Sequence, residues 1–130
     1  GLNPKILQIY PNYKGKRSPG TDIMDRIVLA MVNEAAMILQ EGVCTSAQDV
    51  DVGMIFGTGF CPFRGGLLNY ADHRGLRVIV KKLEELSQTF GDRFTPCSLL
   101  VRMADSNERF FPHRIPAPVS EVARPPRPRL

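Results

Sequence analysis

Six consecutive residues, Ile27 to Val32, are apolar, and they lie inside a segment with helix start and stop signals at its ends. Thr21 or Asp22 suits the N-cap. Gly42 stands where a glycine in the left-handed conformation ends a helix, so the helix is predicted to run to Glu41. Polar residues form only a thin stripe, Arg26, Asn33 and Gln40. A helix apolar on most sides must run through the middle of a bundle and touch several neighbours. No segment alternates apolar and polar residues for long, so the predicted fold class is all-α.

The remaining segments supply those neighbours. A second helix is predicted from Ser46, whose hydroxyl caps it with Asp49 three residues on, and Val50, Met54, Ile55 and Phe56 form its buried side. A short helix spans about Leu67 to His73. A longer one runs from about Leu76 to Phe90, with Leu76, Ile79, Val80, Leu83, Leu86 and Phe90 as its apolar stripe. Lys81, Lys82, Glu84, Glu85 and Gln88 face water, and Lys81 and Glu85 are spaced for an i,i+4 pair. A last helix takes Thr95 as N-cap and Pro96 as first residue and runs to about Met103. The expectation is a bundle of about five helices.

Length and composition set the domain plan. A chain of 130 residues is one domain. Residues 1–20 contain three prolines and three glycines without a helical period and read as a linker with at most a short ordered turn. Residues 21–111 form the helical domain. Residues 112–130 hold six prolines and read as an extended Pro/Arg tail, in which a PxxP pattern at residues 125–128 is a chance match. No apolar run approaches the roughly 20 residues of a membrane span, and no signal-peptide pattern is present. The start at Gly1 reads as a piece cut from a longer protein. Three isolated cysteines, without metal-ligand spacing, fit a reducing compartment.

The net charge of +4 divides unevenly. Residues 1–20 carry four basic residues and no acid, and residues 109–130 carry five arginines against Glu121. Between them, 8 basic residues face 12 acids. The basic ends read as solvated tails. The alternative is an independent helical module that uses them to bind phosphates or nucleic acid; the absence of Trp and of interleaved aromatic and basic residues makes nucleic acid the weaker reading.

Between the second and third helices lies Gly57-Thr58-Gly59-Phe60-Cys61-Pro62-Phe63-Arg64-Gly65-Gly66. Glycine reaches positive φ without strain, and Pro62 fixes its own. The stretch is therefore predicted to be a stiff structural loop made by Gly57, Gly59, Pro62, Gly65 and Gly66, with Phe60 and Phe63 as buried anchors. Gly57-x-Gly59 imitates the start of a dinucleotide fingerprint. That fingerprint needs a preceding strand, whereas residues 46–56 read as a helix, and Gly65 and Gly66 are mis-spaced for it. Arg26, Asn33, Glu34 and Asp72 are the candidate structural polar residues. Glu34 either accepts hydrogen bonds from amides of the glycine loop or faces solvent; Arg26 pairs with Asp51 or Asp72. His73 and His113 read as surface or packing histidines. Cys97 lies near a helix N-terminus but has no neighbouring base, so it reads as a packing residue.

Taken in order, Asp25-Arg26, Val32-Asn33-Glu34-Ala35, Gln40-Glu41-Gly42, Asp49-Val50-Asp51, the glycine loop and Asp72-His73-Arg74-Gly75 resemble the C-terminal helical domain of 3-hydroxyacyl-CoA dehydrogenases. Gly59-Phe60 and Pro62-Phe63-Arg64-Gly65-Gly66, with Arg93-Phe94-Thr95-Pro96-Cys97-Ser98-Leu99-Leu100 and Phe110-Phe111-Pro112 beyond, are similar to the second of two tandem copies in multifunctional fatty-acid β-oxidation subunits. The resemblance covers about residues 22–112; Cys61 replaces the proline usual there. It implies a parent that oxidises (3S)-hydroxyacyl-CoA to 3-ketoacyl-CoA with NAD, through a His–Glu pair in a separate nucleotide-binding domain. It implies no catalytic, cofactor-binding or metal residue in this chain. The implied partner is another helical domain of the family, in the same chain or in a homodimer. The implied location is the bacterial cytoplasm, with mitochondria or peroxisomes as the eukaryotic counterparts.

Overall fold

The computed structural model describes residues 4–9 and 20–112. Six α-helices lie among them: α1 (Pro4–Ile9), α2 (Gly20–Gln40), α3 (Ala47–Thr58), α4 (Leu67–Arg74), α5 (Leu76–Phe90) and α6 (Ser98–Asp105). Single 3₁₀ turns at Pro62–Arg64 and Asp92–Phe94 lead into α4 and α6. No strand occurs among the described residues. α1 falls in the segment read as a linker, as a helix rather than a single turn.

α2 is the axis of the bundle. Leu29, Val32 and Ala36 are fully buried and meet Leu67 and Leu68 of α4, Ile79 and Leu83 of α5 and Leu100 of α6 in one core. α2 stops where predicted. Gly42 takes φ +72°, the Gly42 N–H reaches the Leu39 carbonyl at 3.2 Å, and the Val43 N–H reaches that of Ile38 at 3.0 Å. This paired closure satisfies carbonyls that the helix end would leave open.

α3 begins as its cap predicts: the Asp49 N–H donates to Ser46 Oγ at 3.1 Å, and that hydroxyl donates to the Asp49 carboxylate at 2.7 Å. Its far end differs from expectation. The helix continues through Gly57 to Thr58, so the glycine stretch starts inside it, and the left-handed residue is Gly59. The buried side also differs. Val50 and Asp51 point inward, whereas Phe56 is 86% exposed. α3 packs on α4 and only slightly on α2, so the two consecutive helices splay apart.

The last helix starts two residues later than predicted. Residues 92–94 form a 3₁₀ turn, Cys97 is the N-cap, and Thr95 and Pro96 are extended lead-in. On α5 the close pair is Lys82–Glu85 at 3.1 Å, one position away from the predicted Lys81–Glu85. Long side chains on an exposed face choose between i,i+3 and i,i+4 partners at little cost.

Candidate functional site

Hydrogen-bonding side chains repeatedly end on the terminus of another helix. Asp51, 3% exposed, accepts the Leu68 N–H at 2.6 Å and the Asn69 N–H at 3.0 Å. These are first-turn amides of α4, which no intrahelical carbonyl can satisfy. The α4 N-cap is Gly66, which has no side-chain oxygen, so the cap comes from α3 instead. Gly66 holds φ +114°, and a Cβ there would overlap the Asp51 carboxylate. Asn69 then donates from Nδ2 to the Arg64 carbonyl at 2.7 Å and ties the 3₁₀ turn to α4. Burial raises the Asp51 carboxyl above its usual range, against the lowering pull of the amides; the charge of Asp72 adds to the rise.

Asn33, 2% exposed on the central helix, bridges 62 residues of chain to Thr95 and 64 to Cys97. Its Nδ2 donates to the Thr95 carbonyl at 2.8 Å, and its Oδ1 accepts the Cys97 N–H at 2.8 Å. One α2 side chain thus holds both sides of the lead-in to α6. Two turns on, Gln40 Oε1 accepts the Leu99 N–H at 2.9 Å and the Ser98 hydroxyl at 2.8 Å. Arg77 closes the other end of α6, with Nε donating to the Ala104 carbonyl at 2.9 Å. Asp72 accepts the Phe110 N–H at 3.0 Å and the Phe111 N–H at 2.9 Å, which fastens the last described segment across α4. Its carboxyl is also raised, chiefly by burial.

Some residues lie elsewhere than expected. Glu34 is on the exposed face of α2, and the amides beside the glycine stretch go to Asp51. Arg26 pairs with neither Asp51 nor Asp72; its guanidinium lies 4.1 Å over the Phe90 ring. The ion pair nearby is Arg74–Asp25 at 2.7 Å, which raises the Arg74 pKa. Phe60 is half-buried against the core, but Phe63 is 84% exposed and anchors nothing. Gly59 at φ +72° and Gly65 at φ +73° turn the chain on either side of Pro62, and that double turn carries Phe63 outward. His73 Nδ1 contacts the Asn69 carbonyl at 2.7 Å. His113 lies outside the described residues. Cys97 is buried, and burial pushes its thiol up, so the helix N-terminus beside it does not activate it.

Two hollows stay open: one of about 500 Å³, of mixed polarity, beside Gln48, Asp51, Ile55, Phe110 and Phe111, and one that is apolar. A groove of about 450 Å³ runs between α2 and α3, lined by Met31, Ala35, Ile38, Val50 and Met54, with Glu34 and Asp49 at its edges. Beside it, Gly53 and Gly57 sit one turn apart on α3, and a Cβ at either would meet nothing within 4 Å. A glycine inside a helix costs about 1 kcal/mol relative to alanine, and nothing inside the described domain requires these two.

A family model for the 3-hydroxyacyl-CoA dehydrogenase C-terminal domain matches residues 23–109. The chain belongs to that family. Named relatives include the fatty acid oxidation complex subunit alpha of Shewanella loihica, 43% identical over 99 residues, which are 72% of this chain and 14% of the relative. The subunits of the same name from Vibrio vulnificus and Idiomarina loihiensis are 41% and 43% identical, each over 82% of this chain and 15% and 14% of the relative. The chain therefore spans about one seventh of the length of these relatives. In this dehydrogenase domain no described helix is long and apolar enough to cross a membrane, and no three His, Cys, Asp or Glu side chains among the described residues are grouped to hold a metal ion. The dinucleotide implied by the family does not fit the glycine stretch. Gly57 is helical, Gly59 ends α3, and the space at Gly66 is filled by the Asp51 carboxylate, which would repel a pyrophosphate.

Proposed function

We propose that this domain is a packing module of an NAD-dependent 3-hydroxyacyl-CoA dehydrogenase. It is the second of two helical copies in a fatty-acid β-oxidation subunit. There it seats another helical domain, of the same chain or of a second subunit, and holds the substrate-binding half in place. The parent binds acyl-CoA, converts the 3-hydroxy form to the 3-keto form with NAD, and works in the cytoplasm of a bacterium, a reading supported by the bacterial origin of its relatives.

The observation that carries this reading is how the polar groups are spent. Among the described residues, every buried side-chain nitrogen and oxygen has a hydrogen-bond partner. Asp51, Asn33 and Asn69 are occupied with helix ends. Such groups position a backbone, and a side chain so occupied is not free to transfer protons. Of the two open hollows, the one between α2 and α3 is an apolar groove, which suits a protein neighbour.

Titration calorimetry of the isolated chain with NAD and with 3-hydroxybutyryl-CoA, and absorbance at 340 nm with both together, test the reading. The expected result is no NAD binding tighter than about 1 mM and no NADH. NADH formation by the chain alone would move the chemistry into this domain and overturn the packing role.

A further inference from the structure

The last described residues stand at the rim of a hollow. Asp72 fixes the backbone there, because its carboxylate oxygens accept the Phe110 N–H at 3.0 Å and the Phe111 N–H at 2.9 Å. Phe110, Phe111 and Pro112 then line a hollow of about 500 Å³ together with Gln48, Val52 and Ile55 of α3. These three α3 residues are spaced i, i+4, i+7, which places them on one side of the helix. Phe56, four residues past Val52, shares that side; Val52 is 47% exposed and Phe56 86%. We propose that residues 113–119 of this chain fold back as a strap along this side of α3, with Ile115 and Val119 seated in the hollow against Val52 and Ile55. The strap takes one side of α3 and leaves the groove toward α2 to a neighbouring domain.

The point of departure carries the argument furthest. Pro112 lines the hollow, and the next Cα is bonded about 3.8 Å away, so the strap begins where it is to bind. A segment tethered that closely faces its site at an effective concentration in the millimolar range, and a contact too weak to hold a free peptide suffices. Reach is adequate as well. Gln48 to Phe56 spans about 12 Å of helix, and the five residues Ile115-Pro116-Ala117-Pro118-Val119 cover about 15 Å at the rise of a proline-rich segment.

Composition matches the hollow in two further ways. Pro116 and Pro118 carry no N–H, so pressing this stretch onto apolar side chains strands few donors. Proline-rich segments also dock against aromatic walls, and Phe110 and Phe111 supply one here. The charges agree too. Asp51 lines the hollow, and the negative charge of Asp72 acts on it. The first side chains past Pro112 are those of His113 and Arg114, so a cation enters that negative field.

A nitroxide label on Ala117→Cys, in the full chain with Cys44→Ser and Cys61→Ser, tests the strap by electron paramagnetic resonance. Cys97 is buried and stays unlabelled in the folded protein. The label is expected to tumble at least about 3-fold more slowly than in the same chain carrying Ile115→Ser and Val119→Ser. Val52→Asp is expected to free it to the same extent, whereas Val78→Asp, at a position on α5 that is likewise exposed, is expected to leave it slow. Thermal melts report whether Val52→Asp still folds; if it does not, the Ile115→Ser/Val119→Ser pair, which lies outside the described core, decides alone. A label as mobile in the parent as in that pair overturns the strap. A label that stays slow in both the pair and a folded Val52→Asp overturns this contact. A label slow at about 500 µM protein and mobile at about 10 µM belongs to contact with another copy, and overturns folding back within one chain.

Discussion

At residue scale, Gly66 and Asp51 form the tightest constraint in the domain. Gly66 sits in a backbone region closed to other residues, and its missing side chain is the space that the Asp51 carboxylate occupies. Gly66→Ala therefore adds backbone strain of about 1–3 kcal/mol to a displaced cap, and should lower stability by at least about 3 kcal/mol in urea melts. Phe63→Ala, by contrast, should stay within about 0.5 kcal/mol of wild type, as expected of an exposed side chain. The anchor reading of Phe63 failed because aromatic composition does not say which way a double turn points. Asp51 was legible only indirectly. A helix whose N-cap is glycine must take its cap from elsewhere, and a carboxylate beside inward-facing Val50 was within reach; Glu34, on the other helix, drew attention because its neighbours are apolar. Thiol chemistry supplies a second check at this scale. Cys61 is exposed, whereas Cys97 is buried with its thiol pKa raised. With a thiol reagent near neutral pH, Cys61 should label promptly, and Cys97 should label only as the chain unfolds.

At the scale of elements, helix ends hold the bundle in register. α2 reaches α6 twice, through Asn33 and Gln40, and α5 reaches it through Arg77. Asn33→Leu removes two hydrogen bonds and leaves a buried amide and carbonyl unpaired, so the expected loss is about 2–4 kcal/mol. Amide exchange at Cys97 should rise more than exchange at Leu68, whose amide is held by Asp51. Equal acceleration at both sites would mean that Asn33 acts on the whole core and not as a local tie. The helices themselves were largely legible, because α2, α4 and α5 carry the 3.6-residue apolar period and end at glycines. The start of α6 was missed because Thr95 and Pro96 make a plausible local cap. The tertiary bonds from Asn33 hold both sides of that segment extended, and no local signal records a partner more than 60 residues away.

At the scale of the molecule, the polar groups of the described core are turned inward on its own helix ends, and the free surface between α2 and α3 is apolar. That division is what a module built to be packed against would show, and it explains why a search for catalytic residues finds structural ones. The family resemblance was readable from ordered motifs, but the groove was not, because it depends on α3 leaning on α4 and away from α2. The most direct test is a transplant into a longer relative. In the Vibrio vulnificus subunit alpha, the matching segment is deleted, or replaced by residues 20–112 of this chain, and dehydrogenase turnover is followed at 340 nm with 3-hydroxybutyryl-CoA and NAD. The packing role predicts that deletion lowers turnover at least 10-fold and that the replacement restores most of it, with Asp51→Ala in the transplanted domain failing to do so. Full turnover by the deleted protein would contradict the packing role.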